Sequence, residues 1–147
     1  VGTLSALFGV GAAVGMAILA LMRGRMASAR VSLIGLIGLG VGCTTLAAAT
    51  VPAVAMAGFL LAGLGFGWAM TGLSTVVQER APEELRGRIM ALWLVAFLGS
   101  RPIAAAVLGG AADLLGVLTA FAIAAALCAV AAVVCRPAKL TGPMPVR

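Results

Sequence analysis

The chain is 147 residues long, and 63% of these residues are hydrophobic whereas only 10% are charged. Soluble domains carry a charge on about a quarter of their residues, and a soluble fold of this length has too little interior to hide so much apolar surface. The net charge of +6 would by itself fit a nucleic-acid-binding protein, but a soluble domain is excluded. We predict an all-α, polytopic membrane helix bundle with the lipid bilayer as its solvent and no nucleic-acid partner.

Five membrane spans are predicted from the runs that lack charge. A spanning helix needs about 20 apolar residues, whereas the uncharged run 31–78 would be about 72 Å long as one helix. This run must therefore fold back, and Pro52 suits the first turn of the returning helix. The spans make residues 1–136 a transmembrane bundle before a cytoplasmic tail at 137–147. The predicted spans are 1–22, 31–50, 52–78, 86–112 and 116–135, with turns marked by Thr50 and Pro52 and by Asp113 and Gly116.

The basic residues predict the orientation of the bundle. Arg101 lies deep within a span, but the other nine lie between spans one and two, between spans three and four or in the first residues of span four, or after span five. In an alternating topology these three regions face the same side, and the positive-inside rule places that side in the cytoplasm. We therefore expect the N-terminus outside and the C-terminus in the cytoplasm.

Glycine is expected to mediate the helix contacts. Two glycines four residues apart form a flat strip on one helix face, which lets two backbones approach closely in lipid. Three such pairs occur in the first three spans: Gly11 and Gly15, Gly38 and Gly42, Gly63 and Gly67.

No catalytic or metal site is predicted. The chain has no His and no Tyr, so no nucleophile and base can be combined, and we expect neither an enzyme nor a bound cofactor. The cysteines Cys43, Cys128 and Cys135 are interpreted as small residues that fill helix contacts, with palmitoylation of Cys135 as the alternative.

A polar stripe follows the third span. Trp68, Thr71, Thr75 and Gln78 are spaced by three, four and three residues, so they share one helix face, and Ser74 lies beside them. Threonine can return its hydroxyl to a backbone carbonyl one turn back. Two interpretations therefore stay open: a helix contact with self-satisfied hydroxyls, or the lining of a substrate cavity.

Arg101 lies within the fourth span, about 20 Å of helix beyond Arg88. A charge at this depth costs at least about 2.5 kcal/mol and should face the bundle interior or water. Pro102 follows it and favours a kink. Arg101 is therefore a candidate cavity residue that binds an anionic group, or it pairs with an acid that lies outside these residues.

The stretch "QERAPEELRGR", residues 78–88, is predicted to be a short cytoplasmic loop that opens a helical turn. Arg80, Glu84, Arg86 and Arg88 are the candidate gate residues, since such loops can form ion pairs that hold one transport state closed. Glu84 and Arg88 are four residues apart, a favourable pair on a helix surface. The alternative role is a topology anchor that only keeps positive charge inside.

Residues 76–116, "VVQERAPEELRGRIMALWLVAFLGSRPIAAAVLGGAADLLG", resemble the tenth-to-eleventh helix region of major facilitator superfamily transporters. The likeness is closest to the bacterial drug and siderophore exporter-like branch. The residues that carry it are Gln78, Pro82, the Arg86-Gly87-Arg88 triplet, Gly99 with Arg101-Pro102, and Gly109 with Asp113.

The resemblance implies helices eight to twelve of a twelve-helix transporter, with the missing N-terminal helices of the same transporter as partner. It implies a secondary active transporter in a bacterial inner membrane that exports a small amphipathic molecule by proton exchange. The loop "RGRMASAR" lacks the Asp that the family usually has beside its basic residues. The alternative function is a non-transporting membrane fragment or assembly subunit, because half a transporter cannot close the cavity between two repeats.

Overall fold

The computed structural model describes residues 2–22 and 26–135. It contains five helices long and apolar enough to cross a membrane, and no β-strand occurs in these two ranges. The prediction of an all-α bundle of about five transmembrane helices is confirmed. The helices are α1 (Gly2–Leu21), α2 (Ser28–Ala47), α3 (Pro52–Arg80), α4 (Arg86–Leu115) and α5 (Val117–Val134), with a 3-10 turn at Glu83–Leu85 before α4.

The helix ends differ from the predicted spans where charged or polar residues continue a helix. Helix α2 begins three residues before the expected span and includes Arg30, because a long basic side chain can carry its charge to water from a helix end. Helix α4 continues through Asp113, which therefore marks no turn, and ends before Gly116, whose φ of 92° suits glycine. Pro52 begins α3 as expected. The predicted tail, 137–147, lies outside the described residues.

Helix α3 is the centre of the bundle. It packs along α1 on one side and along α2 on another, and α5 packs against the outer side of α2. Helix α4 packs mainly against α5 and touches α3 over a short stretch only. We call the end of the bundle where α3 ends and α4 begins the basic end.

Glycine sets the distance between α1 and α3. A Cβ atom added to Gly63 would overlap the carbonyl oxygen of Phe8, and one added to Gly11 would overlap the carbonyl oxygen of Leu60. Gly15 is also close, with the Leu64 carbonyl oxygen 3.0 Å from such a Cβ. The predicted glycine strips on these two helices are therefore confirmed as sites of close backbone approach.

The backbones of α2 and α3 approach each other as closely as those of α1 and α3. Their contact uses more small residues than the sequence indicated. A Cβ atom on Gly35 would overlap the backbone nitrogen of Ala69, and one on Gly42 would lie 2.5 Å from that of Ala62. Gly38, the other member of the predicted pair, only makes van der Waals contact with Gly65. The register between α2 and α3 therefore includes Gly35, which has no glycine partner four residues away.

Helix α4 is packed quite differently. None of its residues is buried, and a Cβ atom on Gly87, Gly99, Gly109 or Gly110 would meet nothing within 4 Å among the described residues. These glycines therefore play no part in the helix contacts that the structure describes.

A pair of matched substitutions tests this packing. Gly35→Ala should lower the free energy of unfolding by about 1–3 kcal/mol, because the new methyl group overpacks the α2–α3 contact. Gly99→Ala should leave stability unchanged or raise it by up to about 1 kcal/mol, since alanine favours a helix. Unfolding in mixed detergent and dodecyl sulfate, followed by circular dichroism, measures both. Equal effects of the two substitutions would contradict the packing described.

The α2–α5 contact brings two cysteines together. The side chains of Cys43 and Cys128 are close enough to interact, and the Cβ of Cys128 lies 3.5 Å from the position that a Cβ on Gly40 would occupy. The interpretation of both cysteines as residues of helix contacts therefore holds, but the sequence did not indicate that they face each other. Cys135 lies just beyond α5 and is only partly buried.

This pairing predicts a specific chemical cross-link. Dibromobimane, which becomes strongly fluorescent when both of its bromomethyl groups have alkylated nearby thiols, should bridge Cys43 and Cys128 in the detergent-solubilised protein. Cys43→Ala and Cys128→Ala should each abolish the fluorescence, while Cys135→Ala should preserve it. Fluorescence that depended on Cys135 instead would show that α5 packs in another register.

Candidate functional site

A groove runs between α3 and α4 towards the basic end. Its volume is about 350 Å³. The α3 wall presents Phe66, Met70 and Ser74, each four residues from the next and therefore on one face, with Thr71 beside them. The α4 wall repeats this spacing with Trp93, Phe97 and Arg101. The groove is thus lined by aromatic and polar side chains from two helices that barely touch.

Arg101 supplies the positive charge of the groove. It follows Trp93 and Phe97 along the same face of α4, and its guanidinium carbon lies 5.2 Å from the centre of the Phe97 ring. Side chains on a helix lean towards its N-terminus, which places the guanidinium over the ring one turn earlier. Such a cation–π contact contributes about 0.5–2 kcal/mol.

The depth of Arg101 makes this charge unusual. It lies 15 residues after Arg86, where α4 begins, and 14 before the end of the helix at Leu115, so the two ends are about 22 Å and about 21 Å away. Pro102 lies inside α4 and cannot donate a backbone hydrogen bond. The charge therefore belongs to the middle of a spanning helix.

The hydroxyl groups of the α3 stripe donate to their own helix. Thr71 Oγ1 donates to the carbonyl of Gly67 at 2.8 Å, and Ser74 Oγ and Thr75 Oγ1 both donate to the carbonyl of Thr71, at 3.0 and 2.8 Å. The self-satisfied arrangement foreseen from the sequence is therefore present. It does not exclude a cavity, because each hydroxyl oxygen keeps lone pairs that can accept a hydrogen bond from a ligand or water.

The predicted cavity residues do not all meet. Thr71 and Arg101 line the same groove, and Thr71 also lines a second pocket together with Thr75, which does not reach the groove. The indole nitrogen of Trp68 donates to the carbonyl of Gly15 at 2.6 Å, which joins α3 to α1. Gln78 is exposed and lines neither pocket. The shared face of the stripe is real, but its members contact different neighbours because three elements converge on it.

The second pocket lies at the basic end, between α1, α2 and α3. It has a volume of about 300 Å³, and its polar residues include Ser28, Thr75 and Glu79. Ser28 Oγ donates to Glu79 Oε2 at 2.5 Å, and Ser28 is the first residue of α2. A carboxylate is favourable near a helix N-terminus. Glu79, which the sequence reasoning passed over, thus tethers the end of α3 to the start of α2.

The four candidate gate residues are all exposed around the short turn at the basic end. Arg80 is the last residue of α3, and Glu84 belongs to the 3-10 turn, whereas Arg86 and Arg88 open α4. Glu84 and Arg88 lie on either side of the point where the 3-10 turn passes directly into α4, and their pairing stays a prediction. The loop position itself agrees with the prediction.

Comparison with known proteins places the chain in a family. A sequence model described as Major Facilitator Superfamily matches residues 1–145, nearly the whole chain. The chain belongs to the major facilitator superfamily. Neither a curated protein nor a solved structure matches it significantly.

Membership explains the composition and the fold together. The major facilitator superfamily is a family of membrane transporters, so the five apolar helices are spans of an integral membrane protein. The resemblance noted for residues 76–116 is confirmed at the level of the superfamily. The groove with Arg101 is its best-developed candidate site among the described residues, because it combines depth, charge and aromatic walls.

The two tryptophans are predicted to have separate roles. Trp68→Phe keeps an aromatic ring but removes the hydrogen bond to Gly15, so the free energy of unfolding should fall by about 1 kcal/mol. Trp93→Phe should change it by less than about 0.5 kcal/mol, because Trp93 lines an open groove. The detergent unfolding midpoint measures both variants. A larger loss for Trp93→Phe would show that the groove wall carries more of the stability than the α1–α3 contact.

Proposed function

We propose that the chain is part of a secondary active transporter that works by alternating access and exports a small amphipathic molecule. Proton exchange drives the transport, and the basic end faces the cytoplasm of a bacterial inner membrane, with the N-terminus outside. The N-terminal helices of the same transporter supply the opposite wall of the cavity.

The depth of Arg101 is the observation that carries this proposal. A charged side chain in the middle of a spanning helix is costly unless it faces water or a protein interior. Transporters of this general design bind their substrates near the midplane of the bilayer, between two repeats. A groove lined by Thr71, Ser74 and Arg101 provides such a polar surface at the required depth.

The packing of the helices supports a cavity on the same side. Along most of their length, the α1–α3 and α2–α3 contacts are closed by backbones too near each other for a Cβ atom, and the second pocket opens only at the basic end. Helix α4 touches α3 over a short stretch only, and the space between them is the groove. A substrate path along α3 and α4 therefore needs no rearrangement of the close contacts around α3.

Thiol labelling tests the proposed cavity. In a protein whose native cysteines have been replaced, Thr71→Cys should react with a membrane-impermeant, charged methanethiosulfonate added from the cytoplasmic side. The reaction should be fast because the groove admits water, in which the reactive thiolate can form.

Val95→Cys is the matched control. Valine and threonine are similar in size, so both cysteine substitutions change the side-chain volume by a similar amount. Val95 is well exposed in the structure and lies on the side of α4 away from the groove. In lipid its thiol should react at least about tenfold more slowly. Rapid labelling of Val95→Cys with an unreactive Thr71→Cys would place the aqueous cavity on the other side of α4 and remove the basis of the proposal.

A further inference from the structure

We infer that the groove between α3 and α4 selects amphipathic organic anions, such as aromatic carboxylates or sulfonates. Arg101 binds the anionic group, and the aromatic walls take the apolar body. This inference gives a substrate class to the proposed transporter and rests on that proposal only for the step from binding to transport.

The distribution of charge favours an anion. Among the described residues, Arg101 is the only charged side chain at mid-depth in a helix. Asp113 lies 12 residues further along α4, or about 18 Å, and Glu79 lies at the basic end, in the second pocket. No carboxylate lines the groove with Arg101. The groove therefore has an unbalanced positive potential, and its apolar helix walls concentrate that potential in the cleft even when water enters it.

The geometry of Arg101 leaves its binding edge free. The guanidinium carbon lies 5.2 Å from the centre of the Phe97 ring, and a cation–π contact at this distance leaves N–H groups of the guanidinium available for hydrogen bonds. Those N–H groups can form two parallel hydrogen bonds with a carboxylate or sulfonate. Since Thr71 and Ser74 donate their protons to α3 carbonyls, the anion would be held by Arg101 rather than by the hydroxyls.

The walls fit an apolar or aromatic body next to that charge. Phe66 and Met70 on α3 face Trp93 and Phe97 on α4 across the groove. Aromatic rings stack or meet edge to face, and methionine adapts to ligands of different shape. A volume of about 350 Å³ is within the range of small-ligand sites. The same arrangement rejects cations, because an organic cation would meet Arg101 without a neutralising acid.

Three ligands with two fused rings separate charge from shape: naphthalene-2-sulfonate, naphthalene-2-sulfonamide and N-methylquinolinium. The full-length protein is placed in phosphatidylcholine nanodiscs. A scintillation proximity assay then measures the binding of each ligand in radiolabelled form. The dissociation constant of the sulfonate should be at least about tenfold lower than that of the sulfonamide, as expected for one charged hydrogen-bonded pair. The quinolinium should bind most weakly.

Substitution of Arg101 assigns the preference to one side chain. Arg101→Gln should weaken sulfonate binding about tenfold and change sulfonamide binding by less than about twofold, whereas Arg101→Lys should keep part of the preference because the charge remains. Trp93→Leu is the matched control, since it should weaken all three ligands alike. Gel filtration and circular dichroism verify that each variant is folded. If Arg101→Gln does not fold, the partial loss of preference expected for Arg101→Lys is the test.

The outcomes separate the inference from the proposed function. No preference for the sulfonate, or a preference that survives Arg101→Gln, overturns the inference, and it would fit Arg101 being neutralised by an acid elsewhere. If phosphatidylglycerol added to the nanodiscs displaces the sulfonate, the anion that the site binds is a lipid headgroup. The preference of the site for an anion would then still hold. Selective binding without flux of any of the three ligands into energised vesicles would overturn the transporter proposal alone.

Discussion

Helix α3 can lie against both α1 and α2 because glycines lie where its backbone comes closest to the backbones of these two helices. In lipid there is no hydrophobic drive between helices, so association depends on close van der Waals packing. The missing side chains at Gly63 and Gly35 let carbonyl and amide groups of neighbouring helices approach to distances that a Cβ atom would forbid. Helix α5 then packs on α2, and α4 packs mainly on α5.

The groove is the counterpart of that close packing. Small residues of α3 lie on the faces towards α1 and α2, whereas Met70 lines the side towards α4, and Phe66 lies between α4 and Phe8 of α1. Large side chains hold helices apart, and the space that results is the groove. A close helix triplet and an open cleft are therefore two consequences of one distribution of residue size around α3.

Several features of the fold could be predicted because they depend on local sequence. Runs without charge gave the number of spans, Pro52 gave the start of α3, and the spacing of Gly11 and Gly15 indicated a close contact. The predicted helix ends were less accurate. Arg30 and Asp113 lie inside α2 and α4, whereas a span predicted from a run without charge has to stop before a charged residue. Residues such as these lie in the first or last turns, where a side chain reaches water.

The candidate site could be predicted only in part, since helical periodicity shows which residues share a face but not which neighbour the face meets. Trp68 and Thr71 share a stripe, yet one binds α1 and the other lines the groove. The spacing of Phe66, Met70 and Ser74, and of Trp93, Phe97 and Arg101, was present in the sequence and would have indicated both walls. The contacts of Ser28 with Glu79 and of Cys43 with Cys128 join residues more than 50 positions apart, and no local pattern indicates them.

The two tryptophans of the chain occupy such different surroundings that they give the protein a built-in optical reporter. The indole of Trp68 is fixed by a hydrogen bond between two helices, whereas that of Trp93 borders the groove. With Trp68 replaced by Phe, all the remaining indole emission would come from the groove wall. Its wavelength would then follow the entry of water or of an aromatic guest without any dye attached to the protein.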